Sequence, residues 1–364
     1  MAHKIRLGLI GASVRGTWSS RSHLPAVRAS ADVELTAVCT TRADSAEAAR
    51  VAYGARLAFD DWRKMVASPE IDAVAVVVRV PSHYEPTKAA LEVGKHVYCE
   101  WPLGRTTAEA VELAALAKAQ GLVTAIGLQA RVNPAVMYLK ELVAAGYVGE
   151  VMAVHTGLMR EGVLTRPSHR TWQRDAALGA NTLTIANGHT IDAMRYVVGD
   201  FARLSAVVST QAKQWLDTGT NTWLDVTSPD NILTSGRLKN GAVASAHIAA
   251  IPYAGSGYRM EIYGREGTLV VAGEDSPQLN EITLQGAQKA NTPAPIAVPA
   301  RFILAASGTP AGEAFNVGQM YTLFAQAIRE GNRQQPDFDT AVELHHLVDG
   351  IKEASDTGRE TSFT

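Results

Sequence analysis

The sequence predicts an α/β first half built on a parallel sheet, followed by a second half dominated by β-structure. Three observations carry this expectation. Short apolar runs alternate with helical patterns from residue 5 to residue 128. A glycine-bearing turn follows the first of these runs, where a strand would hand over to a helix. From Ala202 onward, strand-like patterns replace the alternation. Alternating strands and helices imply parallel pairing through crossover helices, whereas consecutive strands pair through hairpins.

The first half reads in order. Residues 5–10, Ile-Arg-Leu-Gly-Leu-Ile, form a strand, and Gly11-Ala12-Ser13-Val14-Arg15-Gly16 opens a helix. This is the context of a dinucleotide fingerprint. Gly11 permits the tight turn and Gly16 close packing of helix on strand, while Ser13 replaces the middle glycine. Ser13 offers a hydroxyl to the phosphates, Val14 belongs to the same cofactor loop, and Arg15 joins Arg42 near a 2′-phosphate; a turn without ligand is the other reading. The second strand, Val33 to Cys39, ends in Thr40-Thr41-Arg42. An acid there would hold the ribose hydroxyls of NAD, whereas hydroxyls and a guanidinium suit a 2′-phosphate. NADP(H) is therefore the preferred cofactor, with NAD(H) as the alternative. Arg42 is either a phosphate ligand or a solvated surface charge.

A helix from about Ser45 to Tyr53, a helix start at Asp60-Asp61-Trp62 and a buried strand over residues 72–80 follow. Pro81-Ser82-His83-Tyr84 opens a helix closed by Gly94, His96–Cys99 is a strand, and Glu100-Trp101-Pro102 lies beyond its C-terminal end. Open α/β sheets bind ligands at that edge, which makes Pro81, His83, Glu100 and Trp101 candidates for the cofactor pocket. A helix over Thr107–Gln120 and a strand over Val123–Leu128 complete a domain of residues 1–128, leaving 129–364 as the second.

In that second domain, a helix spans roughly Ala135 to Ala145 and a long strand starts at Val151. Residues 160–178 are irregular and rich in donors and rings, among them Arg160, Arg166, His169, Arg170 and Trp172. Such a loop borders either a polyol site or solvent. Thr182–Val198 reads as helix. Strands are expected over Leu204–Thr210, Asn231–Leu238, Ala242–Ile248, Arg259–Gly264 and Gly267–Ala272, with a hairpin turn at Lys239-Asn240-Gly241. Residues 273–312 read as a weakly regular excursion, before helices over Gln319–Glu330 and Thr340–Thr357.

Composition bounds the function. A chain of 364 residues, 46% hydrophobic and 19% charged, has the make-up of a two-domain globular protein. The formal net charge of -2 gives no nucleic-acid footprint. No apolar run approaches the roughly 20 residues of a membrane span, and the first residues lack a signal-peptide pattern. A cytoplasmic setting is expected. Cys39 and Cys99 fall in apolar runs and read as buried free thiols. There is no metal-ligand cluster in the sequence.

Gly-Leu-Ile-Gly-Ala (8–12), Val-Pro-Ser-His-Tyr (80–84), Gly-Lys-His-Val-Tyr-Cys-Glu-Trp-Pro-Leu (94–103) and Gly-His-Thr-Ile-Asp (188–192) together resemble the glucose–fructose oxidoreductase, inositol dehydrogenase and MocA family. Pro336-Asp337-Phe338, His345-His346 and Gly358-Arg359 resemble its C-terminal segment. Within the family, Leu128-Gln129-Ala130-Arg131 and Asn187-Gly188-His189-Thr190-Ile191-Asp192 resemble the branch of the fungal galactose-regulon repressors. The resemblance implies a Rossmann domain joined to an α+β domain with a large open, mainly antiparallel sheet. It implies a sugar or polyol substrate, and a homodimer or homotetramer assembled through the sheet. It also implies an active-site lysine and aspartate where this chain has Trp101 and Ile185.

Hydride transfer from an alcohol needs a base for the hydroxyl proton. His189 matches the family's histidine and has the right chemistry. Asn187 would orient a hydroxyl, Trp101 would stack on a sugar or the nicotinamide, and Arg131, His169 and Trp172 would complete the substrate contacts. Three functions stay open: an NADP-preferring oxidoreductase on a sugar, glycoside or cyclitol; a dinucleotide-binding sensor with little turnover; and a closed redox cycle that drives elimination, hydrolysis or epimerisation.

Overall fold

A computed structural model describes residues 3–289 and 291–363. The first parallel sheet consists of β1 (Ile5–Ile10), β2 (Val33–Cys39), β3 (Leu57–Phe59), β4 (Ala73–Val76), β5 (His96–Glu100) and β6 (Thr124–Gly127). Its helices are α1 (Leu24–Ala29), α2 (Ala43–Tyr53), α3 (Trp62–Val66), α4 (Tyr84–Glu92) and α5 (Thr107–Ala119). The chain continues through α6 (Pro134–Ala144), β7 (Val151–Arg160), the short β8 (Thr165–Arg166) and α7 (Asn187–Val198). Next come β9 (Phe201–Ser209), β10 (Gln214–Asp217), β11 (Thr222–Asp225), β12 (Asn231–Leu238), β13 (Val243–Ala250), β14 (Gly257–Gly264) and β15 (Gly267–Gly273). The chain closes with β16 (Thr283–Gln288), β17 (Ala294–Pro295), α8 (Glu313–Glu330), α9 (Phe338–Thr357) and β18 (Thr361–Ser362).

Local chemistry sets these boundaries. Asp61, Thr106 and Asn133 accept hydrogen bonds from the first-turn amides of α3, α5 and α6, satisfying donors that a helix start leaves open. Gly54 and Gly331, both left-handed, end α2 and α8. Asn240 accepts from the Ala242 amide in the turn between β12 and β13, where the hairpin was expected.

The chain divides into two compact units. The first comprises Met1–Gln129 and Ile303–His345; the second comprises Ala130–Phe302 and His346–Thr364. The sequence reading gave all of 129–364 to the second domain, but Ile303–His345 returns to the first unit. The reason is local: α8 packs on α1 and β6, and the Pro336 carbonyl accepts the Ile126 amide at 3.0 Å.

In the first unit the strand order is β3-β2-β1-β4-β5-β6, all parallel. Chain direction across the sheet reverses between β1 and β4, the position at which such sheets open a ligand crevice. β4 is completely buried, as expected for a strand covered on both faces. Cys39 and Cys99 are free and buried, and burial pushes the Cys39 thiol up to about 12.

In the second unit nine strands run β17-β16-β15-β14-β7-β13-β12-β9-β18. Every pairing is antiparallel except β13 with β7. One face is covered by α6 and α7. On the other, register sets exposed Val207 opposite Leu233, and exposed Val243 and Tyr263 on either side of Ala153. A separate sheet, β11-β10-β8, packs Trp215 and Val226 against Val163 and Ala212. Neither β10 nor β11 was expected, and residues 273–312 hold β16 and β17 where only an irregular excursion was foreseen. Among the described residues, no helix is long and apolar enough to cross a membrane.

Candidate functional site

The first unit places a turn at the crevice. Gly11 has φ 95°, and a Cβ there would overlap the Val77 carbonyl oxygen, so only glycine fits. The Gly11 and Ala12 amides donate to the Cys39 carbonyl, and the Ser19 hydroxyl donates to the Gly11 carbonyl at 2.7 Å. Ser13 accepts from the Arg15 amide at 3.2 Å, while Val14, Arg15 and Gly16 are exposed. The Gly11 cradle and this open loop fit a dinucleotide's phosphates. The helix begins later than expected: Ser19–His23 is a π-helical turn that runs into α1. Gly16 therefore lies outside the helix. Nothing comes within 4 Å of a Cβ built on it, so its φ of 65°, and not close helix–strand packing, is what calls for glycine.

At the end of β2, Thr41 and Arg42 are exposed and Thr40 is half-buried. The Arg42 guanidinium forms a fork with Asp44, at 2.9 and 2.7 Å. Arg42 holds the Asp44 carboxyl below its ordinary range. The pair thus places an acid as well as a guanidinium at the strand end.

Beyond β5 lies a buried polar network. The His23 Nε2–H donates to Glu100 at 2.6 Å, and His23 Nδ1 meets the Tyr321 hydroxyl at 2.7 Å. A carboxylate only accepts, so Nε2 carries a proton. Gln129 donates to both Glu100 oxygens, at 2.9 and 3.0 Å. Gly127 stands opposite Glu100, and a side chain there would overlap the carboxylate. Burial pushes the Glu100 carboxyl up, but the His23 hydrogen bond and charge, with Gln129 and Trp18, bring it below its ordinary range.

Trp101 is 5% exposed and its indole packs on the His345 imidazole, with ring centroids 4.8 Å apart. Its aromatic face is therefore used within the first unit and not displayed for stacking. His83 was expected in the cofactor pocket but is 1% exposed. Its ring nitrogens meet the backbone carbonyls of Pro102 and Val78 at 2.7 and 3.1 Å. Burial lowers its pKa, and it acts as a clamp on the segment after β5. Pro81 is exposed in the turn before α4.

The second unit carries a cleft. Its walls include Arg160, Arg166, Arg170, Gln173, Asn181 and Trp215, with Ile185 and Ala186 as an apolar side. The cleft is open on one side and its volume is about 150 Å³, comparable to the ~150 Å³ of an engineered cavity that holds a six-membered ring. Asn181 caps a π-helical turn, Thr182–Ala186, which brings Ile185 to the wall and precedes α7. Asn187 is fully buried and donates to the Leu183 carbonyl; His189 is 6% exposed. Among the described residues, neither lines the cleft. A π-turn inserts a residue into the helical phase, so four-residue spacing from Ile185 does not bring His189 to the wall.

The 160–178 segment contributes Arg160, Arg166, Arg170 and Gln173 to the cleft lining. Ser168–Arg174 is a 3₁₀ helix, in which residues three apart align. Arg170 and Gln173 face the cleft, and His169 and Trp172 fall on the adjacent face. Arg131 is also corrected: its fork closes on Asp192 at 2.7 and 2.6 Å, with both side chains buried. Trp215 and Asn181 were missed. The apolar pair Trp215-Leu216 set between polar residues was the available signal for Trp215. Nothing in sequence linked His23 or Tyr321 to Glu100.

Comparison with known proteins bears on each unit. Residues 5–128 match the family model described as the oxidoreductase family with an NAD-binding Rossmann fold. Residues 134–273 match the model of the Gal80p C-terminal domain. The chain is 32% identical over 215 residues to dehydrogenase aclE of Aspergillus oryzae, covering 57% of this chain and 59% of that protein. It is 27% identical over 259 residues to the galactose/lactose metabolism regulatory protein GAL80 of Saccharomyces cerevisiae, covering 66% and 60%. The matches thus span less than two thirds of these relatives' own length. Levoglucosan dehydrogenase in complex with NADH and L-sorbose shares the fold, with a TM-score of 0.85 over 100% of both chains at 23% identity.

Proposed function

Because the chain belongs to the glucose–fructose oxidoreductase, inositol dehydrogenase and MocA family, we propose that it is an NADP(H)-preferring oxidoreductase acting on a sugar, glycoside or cyclitol alcohol. The cleft of the second unit carries this reading. Guanidinium and amide donors beside an indole and an isoleucine match a ring with hydroxyls on its edge and C–H groups on its faces.

In this reading, the 11–16 loop holds the pyrophosphate. Thr40, Thr41 and Arg42 receive the 2′-phosphate once Arg42 leaves Asp44. That exchange is easy, because an exposed ion pair is worth only about 0–1 kcal/mol. A nicotinamide held there would supply the hydride acceptor or donor. His189 is the candidate base through its match to the family's histidine, although it does not line the cleft in this structure, and Asn187 holds the helix turn before it. The exposed apolar side chains of the sheet, Val207 with Leu233 and Val243 near Tyr263, support a homodimer or homotetramer.

The test is direct. Purified protein is mixed with NADP or NAD and a panel of sugars, glycosides and cyclitols, and nicotinamide absorbance is followed. Reduction with one substrate class is expected, and His189→Ala should lower kcat by ~10²-fold or more with dinucleotide affinity retained. Full turnover in that variant would remove His189 from the chemistry. The residues at 101 and 185 favour a second reading. Tryptophan and isoleucine stand where the family resemblance implies a lysine and an aspartate, so the chain would serve as a dinucleotide-binding sensor. Tight dinucleotide binding without reduction or altered sugar products would support that reading, whereas altered products would indicate a closed redox cycle.

A further inference from the structure

Arg166 is an unusual lining residue. Its guanidinium carbon lies 4.5 Å from the centroid of the Trp215 ring. Its Nη1 donates to the carbonyls of Gly162 and Thr165, yet its Nε–H is buried with no partner. Among the described residues it forms no ion pair. Two more guanidiniums line the same cleft, against the single carboxylate of Glu161. Arg160 is balanced by Asp275 at 2.9 Å, and no such balance reaches Arg166. Its surroundings work against its charge: burial, then Arg170 and Arg160, pull its pKa down to about 10.

A half-buried charge surrounded by like charges is costly unless a counter-charge arrives. Trp215 is the second observation. It is 4% exposed, lines the cleft, and its indole N–H is also without a partner. A neutral sugar would leave the positive potential unanswered. A carboxylate or phosphate would answer it, and it accepts hydrogen bonds from planar guanidinium forks better than any hydroxyl does.

We propose that the cleft is built for an anionic carbohydrate, whose carboxylate or phosphate pairs with Arg166 beside Trp215, with Arg170 adding to the field. Asn181 and Gln173 line the remaining wall for hydroxyls. The inference rests on reading this cleft as the sugar site, and it narrows the substrate class to uronate-like or phosphorylated sugars.

The experiment is calorimetric binding of D-glucuronate, D-glucose 6-phosphate and D-glucose to the full chain saturated with dinucleotide. At least one anionic sugar should bind ~10-fold or more tighter than glucose, and the better of the two identifies the group. That preference should shrink several-fold between about 20 and about 200 mM salt. Arg166→Met should bring the anionic-to-neutral ratio close to one, and Arg166→Lys should keep part of it. Equal binding of all three sugars, or a preference intact in a folded Arg166→Met protein, overturns the proposal. Should Arg166→Met fail to fold, the ratio and its salt dependence in the unaltered protein still decide. Turnover separates this inference from the reading beneath it. Reduction of nicotinamide by neutral glycosides without anion preference keeps the oxidoreductase and rejects the anionic class. Tight anionic-sugar binding without reduction does the reverse.

Discussion

Gly11 shows how much a single atom decides. At φ 95° and against the Val77 carbonyl, Gly11→Ala must move backbone, costing roughly 2–5 kcal/mol. Thermal unfolding should fall accordingly and dinucleotide affinity with it; an unchanged melting curve would refute the tight-turn account. Arg42 and Asp44 make a balanced pair at the strand end. Arg42→Ala should weaken NADP more than NAD, whereas Asp44→Ala should favour NADP by freeing the guanidinium. Equal effects on the two cofactors in titrations would remove Arg42 from the phosphate site. Arg131 and Asp192 are buried together, so Asp192→Asn should destabilise by about 3–5 kcal/mol through the charge left behind. Denaturant titration measures it, and a loss under about 1 kcal/mol would mean that the pair behaves as a surface one.

At the scale of elements, the parallel sheet was legible because strands buried on both faces are short apolar runs between helices. β1 and β2 fall where their patterns place them. Two π-helical turns, Ser19–His23 and Thr182–Ala186, were not legible. Their inserted residue depends on tertiary packing and leaves no mark in hydrophobic period. The cleft suffered for this. The donor-rich segment was found, but the face it turns inward follows 3₁₀ spacing, and Trp215 lies on a strand too short to register. At the end of β5, the pH dependence has a definite sign. The folded Glu100 carboxyl lies below its ordinary value of 4.5. It contributes stability above the unfolded pKa and loses it as pH falls through the folded one. Melting temperatures of the native protein and of Glu100→Gln should therefore converge in acid. A gap that stays constant from neutral pH downward would assign the carboxylate no such role.

For the whole molecule, the two units differ in how they are assembled. The second takes most of its sheet from one continuous stretch, Ala130–Phe302, whereas the first is built from two segments far apart in sequence. The exposed apolar side chains on the nine-stranded sheet predict self-association. Leu233→Lys with Val207→Lys should reduce the mass seen in sedimentation, while an unchanged mass would place any contact elsewhere.

The Pro336 carbonyl that covers β6 sets a schedule for the nascent chain. From Gln129 to His345 is 345 − 129 = 216 residues, roughly 11–43 s of synthesis at about 5–20 residues per second. Throughout that interval the β6 side of the first sheet presents unpaired amides, a template for pairing with another strand. Ribosome-bound chains stopped at Phe302 should therefore recruit holdase chaperones and expose β6 to hydrogen exchange, and chains extended past His345 should do neither. The loop at residues 11–16 thus waits, for its own sheet to be finished, on a segment made long after it.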